Sequence, residues 1–320
     1  MKATTYSVGI DIGGTTVHYA VVDDAGKIRE RGDLATRDYP EATDFLTALA
    51  GEIKRVVHFF GRDSFIGIGV GAPCVNPHTG AIEGATDLPW ESPVPLAEVL
   101  GRLTGLSVYA ANDANAAALG EMQYGAARGM RNFIMLTLGT GVGAGVVADG
   151  RLLEGSRGFA GELGHIYAVG AEDRMCSCGR PGCLQTVASA GGIVATAIRM
   201  LESPEGKDSS LAGASADQLT AMTIAQHAKR GDTLARSVYE FTGGVLGTAF
   251  ASYAAWIDPE AIILFGGVAN AFDLMERSMR EAYDRNVLFL YKDSVKLMRS
   301  GLREADAAIL GAASLPYQKH

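Results

Sequence analysis

Two stretches decide the fold of this chain: Asp11-Ile12-Gly13-Gly14-Thr15-Thr16 (DIGGTT, 11–16) and Thr137-Leu138-Gly139-Thr140-Gly141-Val142-Gly143 (TLGTGVG, 137–143). Each follows an apolar run (Tyr6 to Ile10, Phe133 to Leu138) and precedes a β-branched one (Val17 to Val22, Val142 to Ala148). That order predicts strand, tight turn, strand. Each unit then closes on an acidic-glycine turn, at Gly26 and at Asp149-Gly150. Placing Asp11 over Thr137 puts Gly13 over Gly139, an offset of 137 − 11 = 126 residues. Two such units imply two related halves facing each other.

Composition agrees with a large folded unit. The chain has 320 residues, 48% of them hydrophobic and 20% charged, enough apolar surface to offset ordering entropy and too little charge for a disordered chain. Glycine is in excess, 41 of 320 against a usual share of about 7%. A net charge of −8 speaks against a phosphate-backbone footprint, so no nucleic-acid partner is expected. The N-terminus has no cleavage-site pattern, and the uncharged runs 132–148 and 241–257 contain Gly and Thr and fall short of the roughly 20 residues of a membrane span. A cytoplasmic protein without membrane contact is the expectation.

Working outward, the spacing of Phe45, Leu49, Ile53, Val56 and Val57 predicts a helix over 44–60, and 65–70 reads as a strand ending at Gly71-Ala72-Pro73. A short helix over 96–103 and a strand over 107–111 lead into Asn112-Asp113, with a helix over 114–123 beyond. Residues 202–217 read as a loop or flexible insertion. A long helix over 233–256 carries Gly243, Gly244 and Gly247 as packing glycines, and the buried strand 261–265 ends in Gly266-Gly267. Helices over 275–286 and 306–315 close the chain.

Glycine turns after strands present backbone N–H groups that a phosphate oxygen can approach without a Cβ in the way. One such turn is indistinguishable from an ordinary hairpin; the pair favours phosphate. No GxxxxGK[ST] occurs, and 139–144 fits GxGxxA but is followed by a β-branched run rather than a helix. Asp11 is placed to hold Mg²⁺ against phosphate oxygens, or is a turn carboxylate. Gly266-Gly267 offers bare backbone to an adenine or ribose. Asp113 is explained equally by a helix cap.

Three of the four cysteines crowd together. His165, Cys176, Cys178 and Cys183 follow the pattern His-x10-Cys-x-Cys-x4-Cys, three thiolates and one imidazole, which suits a closed, structural zinc site. A redox-active or chance cluster is the alternative. Cys74 stands apart and is expected as a buried thiol.

Together these motifs resemble the ROK (repressor, open reading frame, kinase) family of actin-like sugar kinases, over essentially the whole chain. DIGGTT and TLGTGVGAG resemble its two phosphate motifs, ELGH with CSCGRPGC its zinc signature, AANDANAAALGE its catalytic segment and AIILFGG its adenosine-side strand. The resemblance implies an α/β fold of two actin-like (ribonuclease H-like) ATPase domains with an interdomain cleft and a zinc-binding loop. The small domain would comprise 1–111 plus 302–320 and the large one 112–301. It implies ATP, Mg²⁺ and structural Zn²⁺, a hexose substrate and a homo-oligomer, dimer or tetramer. Asp113 would be the base that deprotonates the sugar hydroxyl, with Gly71, Asn112, Glu162, His165 and Gln185 around the sugar. Asp11, Gly13, Gly14, Thr15, Thr137, Gly139, Thr140, Gly141, Gly266 and Gly267 would serve the nucleotide.

Three positions depart from the family pattern. Gln185 stands where a glutamate usually touches the sugar near its anomeric end, Cys74 where the loop usually reads GAPG, and Asp87 where Asn-Leu usually precedes the tryptophan. Glucose is the first expectation; N-acetylmannosamine, N-acetylglucosamine, fructose and allose are the alternatives, and a sugar-sensing regulator with weak catalysis is the alternative of another class.

Overall fold

Strand pairing follows the two glycine turns. In the computed structural model, which describes residues 4–84, 88–215 and 217–318, β1 (Tyr6–Ile12), β2 (Thr16–Asp23) and β3 (Ile28–Ala35) form an antiparallel meander. β4 (Phe65–Gly71) joins β1 in parallel; the two-stranded ribbon β5 (Val75–Asn76) and β6 (Ala81–Ile82) follows, and β7 (Val108–Ala111) pairs in parallel with β4. The first sheet therefore runs β3-β2-β1-β4-β7. The second comprises β8 (Phe133–Leu138), β9 (Val142–Ala148), β10 (Arg151–Leu152), β11 (Ala261–Phe265) and β12 (Lys296–Arg299), in the order β10-β9-β8-β11-β12. The two orders superimpose strand for strand, so the sequence repeat is a structural one. Asp87 lies outside the described residues.

Helices fill the crossovers. α1 (Ala42–Phe60) buries Phe45, Leu49, Ile53 and Val56, the spaced face read from sequence, against β1, β2 and β4 in a core that includes Val8, Ile10, Ile68 and Val70. α2 (Leu96–Thr104) ends on Gly105 in the left-handed region, and α3 (Asp113–Tyr124) follows β7. Beyond β10 come the short α4 (Gln185–Ala188), then α5 (Ala190–Leu201), α6 (Ala221–Lys229), α7 (Thr233–Ile257), α8 (Phe272–Asn286) and α9 (Glu304–Ser314). Among the described residues no helix is long and apolar enough to cross a membrane. Contacts divide the chain into two compact units, Met1–Met130 with Gly145–Ala160 and Ser300–His320, and Arg131–Ala144 with Gly161–Arg299.

The loop expected over 202–217 is tied down at several described residues: Pro204–Asp208 makes a 3₁₀ turn, and Asp232, which caps α7 through the Ala235 N–H at 2.8 Å, also accepts from Ser209 Oγ at 2.9 Å and Ser210 N at 2.6 Å. One carboxylate thus pins the segment to a helix start. Cys74 is exposed rather than buried, in a turn with φ 50°.

Glycine in the strand β4 has a packing cause. A Cβ on Gly69 would collide with the backbone of Ala312 in α9, so the last helix lies against the sheet at a distance only glycine allows. Gly69 therefore serves the packing of α9 on the sheet. In α7, Gly243 and Gly247 meet the Met275 and Met279 carbonyls of α8, whereas Gly244 faces open space. Gly69→Ala is expected to lower unfolding free energy by about 1–3 kcal/mol in urea titration. Gly51→Ala, on the exposed face of α1 with open space around it, should raise it by roughly 0.5–1 kcal/mol.

Candidate active site

In the first unit, register brings the polar residues to one edge. Asp11 pairs with Gly71 and Gly71 with Ala111, so three parallel strands end level, the edge at which open α/β sheets bind ligands. The Gly13–Thr15 turn leaves from β1 and Asn112-Asp113 from β7. Asn112 caps α3, its side-chain oxygen accepting the Asn115 N–H at 2.8 Å. Capping therefore falls to Asn112, and Asp113 takes the first helical position instead. Burial pushes the Asp113 carboxyl up to about 6, with the charge of Asp11 adding to the effect. Asp11 is itself raised by burial, moderated by its cross-strand partner His18. Gly71 lies against this carboxyl: a Cβ there would be 3.8 Å from Asp113 Oδ1.

Thr36 holds the first turn. Its hydroxyl donates to the Gly13 carbonyl at 3.1 Å and its N–H to the Thr15 carbonyl at 3.0 Å, while Gly13 N–H closes the turn on Thr16 O at 3.1 Å. Nothing in the sequence around Thr36 signals this role, because the contact crosses 23 positions.

The second unit repeats the edge without the carboxylate. Thr137 pairs with Phe265, so the Gly139–Gly141 turn and Gly266-Gly267 leave side by side. Gly139 N–H bonds Gly141 O at 3.0 Å, and Ala190 N–H, at the start of α5, bonds Gly139 O at 2.8 Å. Gly266 has φ +98°, and a Cβ there would lie 2.6 Å from Leu138 O; Gly139 and Gly267 face open space instead.

His165, Cys176, Cys178 and Cys183 come together, their ligand atoms all within 4.8 Å of one another. His165 Nδ1 is 3.7 Å from Cys176 Sγ, and Cys178 Sγ is 3.6 Å from Cys183 Sγ. A tetrahedral zinc with sulfur bonds near 2.3 Å has edges of about 3.8 Å. The donor set and spacing therefore fit such an ion, and they exclude a Cys178–Cys183 disulfide, whose sulfurs would sit about 2 Å apart. The loop is shaped by backbone bonds, Cys176 N to Arg180 O at 2.9 Å and Gly179 N to Cys176 O at 3.0 Å, and Arg180 donates to His165 O at 2.9 Å. Hydrogen bonds from Arg180 hold the Cys178 thiol below its usual range. Glu162 precedes the 3₁₀ turn Leu163–His165 and is exposed. Tyr253 in α7 secures that turn by donating to Leu163 O at 3.0 Å, another contact that local sequence does not announce. Gln185, at the start of α4, directs its amide to Cys176 Sγ at 3.1 Å.

A mixed α/β sheet, present in two copies that each open on a glycine turn, is the sugar-kinase class of fold. The ROK family profile matches residues 7–319, and the chain belongs to that family. It is 36% identical over 318 residues to a glucokinase of Halalkalibacterium halodurans, covering 98% of this chain and 95% of that one. It is 33% identical to an N-acetylmannosamine kinase of Citrobacter koseri, with 97% and 98% covered. The crystal structure of a ROK family glucokinase from Streptomyces griseus in complex with glucose and AMPPNP matches with a TM-score of 0.75 at 30% identity, covering 98% of this chain and 99% of that one.

The raised Asp113 carboxyl has a cost for the fold. Its folded-state value lies above that of the unfolded chain, so the stability tied to its proton is whole below about pH 4 and is lost as pH rises through about 6. Asp113→Asn should therefore be more stable than the wild type at pH 8, by about 2–3 kcal/mol. In denaturant titrations the difference should fade as pH is lowered to 4.

Proposed function

We propose that this chain, an ATP-dependent sugar kinase, transfers the γ-phosphoryl group of ATP to the 6-hydroxyl of glucose with Asp113 as general base. The observation that carries the reading is the state of Asp113: a buried carboxyl, relieved of capping by Asn112, poised at about 6. Such a group is mostly ionised at neutral pH yet basic enough to accept a hydroxyl proton.

Phosphoryl transfer has a loose transition state, so alignment and charge placement do the work. Gly13 and Gly139 spend their own N–H groups in closing their turns, which supports giving the phosphates to the amides and hydroxyls that follow, Gly14 and Thr15 in one turn and Thr140 and Gly141 in the other. Thr137 and the Gly266-Gly267 edge serve the nucleotide. Asp11 is the residue to hold Mg²⁺; two carboxyls withdrawn from water at one strand edge, the charge of Asp11 adding to the proton affinity of Asp113, suit a divalent cation, which when bound would neutralise phosphate charge. Asn112, Glu162, His165 and Gly71 contact the other sugar hydroxyls. His165 turns Nδ1 toward the thiols, which leaves its other ring nitrogen for the sugar. The four protein donors complete a zinc shell, so that ion is structural.

The reading assigns these tasks to two actin-like domains, 1–111 with 302–320 and 112–301, in a cytoplasmic homo-oligomer, dimer or tetramer. Glucose is supported by the glucokinase relatives and the glucose-bound structure, and an N-acetylhexosamine by the N-acetylmannosamine kinase relative; fructose and allose are further alternatives. Coupled ADP release against a panel of these sugars is expected to give the highest kcat/KM with glucose. Sugar binding without ADP release from any of them would replace the kinase with a sugar-sensing regulator. Asp113→Asn should lose at least 10²-fold in kcat while calorimetry still detects sugar. In the wild type, kcat/KM should fall as pH drops through about 6, where Asp113 takes up its proton; a flat profile from pH 7 to 5 would remove Asp113 from the role.

A further inference from the structure

Gln185 sits two residues beyond Cys183, and its amide makes a divided set of contacts. Nε2 donates to Cys176 Sγ at 3.1 Å and reaches Ser177 Oγ at 3.4 Å. Oε1 faces the other way, accepting the Val142 N–H at a long 3.5 Å and lying 3.4 Å from where a Cβ of Gly141 would be. The orientation is fixed by chemistry. Turned over, the amide would present its oxygen to a sulfur and its NH₂ to a backbone N–H, two donor–donor or acceptor–acceptor clashes.

The amide does here what the glutamate usual at this position in the family cannot do from the same place. A carboxylate here would still accept from Val142, but it would face Cys176 without a proton to give. When that sulfur is a metal-bound thiolate, it would meet a second anion at hydrogen-bond distance. An amide N–H to a thiolate is a charge-assisted bond that steadies a metal ligand from outside the coordination shell. The other end of the same side chain rests on the residue that follows the Gly139–Gly141 turn.

We propose that Gln185 is a positioning residue that ties the Cys176 sulfur of the metal centre to the second glycine turn, so that the bound metal helps hold that turn in shape. The proposal rests on the metal reading of the cluster and on the nucleotide reading of the turn. It gives Gln185 a task different from the sugar contact expected at this position.

The test uses full-length wild type, Gln185→Glu and Gln185→Ala, each purified without chelator. Zinc content is measured first, then the rate of zinc transfer to a colorimetric chelator, then KM for ATP and for the sugar. Both variants should release zinc about tenfold faster or more, because both lose the N–H to sulfur. Gln185→Ala, which also gives up the Val142 contact, should raise KM for ATP more than Gln185→Glu does. Unchanged zinc release in both variants, with a rise in sugar KM alone, would overturn the proposal and return Gln185 to the sugar. Wild-type protein without zinc would fail the metal reading itself, and that result is visible before any variant is made. Near-native circular dichroism of the isosteric Gln185→Glu separates faster release from loss of fold.

Discussion

Everything functional in the first unit depends on one backbone constraint: β1, β4 and β7 pair in parallel with their C-terminal ends level, Asp11 beside Gly71 and Gly71 beside Ala111. The pairing leaves no freedom in where Asp11 and Asp113 emerge. It sets two carboxyls at one sheet edge, both withdrawn from water, so each ionises against the loss of solvation and Asp113 also against its neighbour's charge. Fully buried aliphatics such as Val8, Ile10, Ile68 and Val70 lie directly behind that edge, and their burial stabilises a strand set that the carboxyls alone would oppose. Strain of this kind persists only where the surrounding fold over-determines it. Here the over-determination comes from sheet register and from α9, seated close enough on β4 to forbid a side chain at Gly69.

Duplication then allows the two copies to specialise. Both sheets share one strand order, and the residue equivalent to Asp11 is Thr137. The first copy thus concentrates negative charge at its strand ends, while the second presents a hydroxyl, a glycine turn and the Gly266-Gly267 corner. A polyanionic ligand is repelled by the former and tolerated by the latter unless a cation intervenes. The asymmetry gives two edges that share one backbone plan different chemistry, and the proposed division of work rests on it: carboxyls at one edge, bare backbone and a hydroxyl at the other.

What the sequence made legible was local. Strand, glycine turn and strand are contiguous patterns, so both hairpins and the 126-residue repeat could be read directly, as could the helical face Phe45, Leu49, Ile53. The clustering of His165 with Cys176, Cys178 and Cys183 was legible too, because it is built from near neighbours. What stayed hidden was set by contacts between distant positions. Thr36 reaches Gly13 across 23 residues and Tyr253 reaches Leu163 across 90, and neither hydroxyl differs in sequence context from one that faces water. Segment 202–217 has loop composition, yet Asp232 anchors it. Cys74 was misread because a thiol's burial depends on where its turn points, which composition does not state.

Glycine shows most clearly how structure refines a compositional signal. The excess in the sequence merges two populations that a side-chain test separates. At Gly69, Gly243, Gly247 and Gly266 an added Cβ meets protein backbone, so the glycine is required by the fold whether or not any ligand exists. At Gly139 and Gly267 the same Cβ meets nothing within 4 Å, and neither has a backbone conformation that demands glycine. Protein packing gives no reason for the missing side chain there. The proposed phosphate and nucleoside contacts would use the room that a methyl group would otherwise take. The two open glycines follow paired strand ends in the same unit, Thr137 beside Phe265, so sheet register rather than local sequence is what brings them near each other.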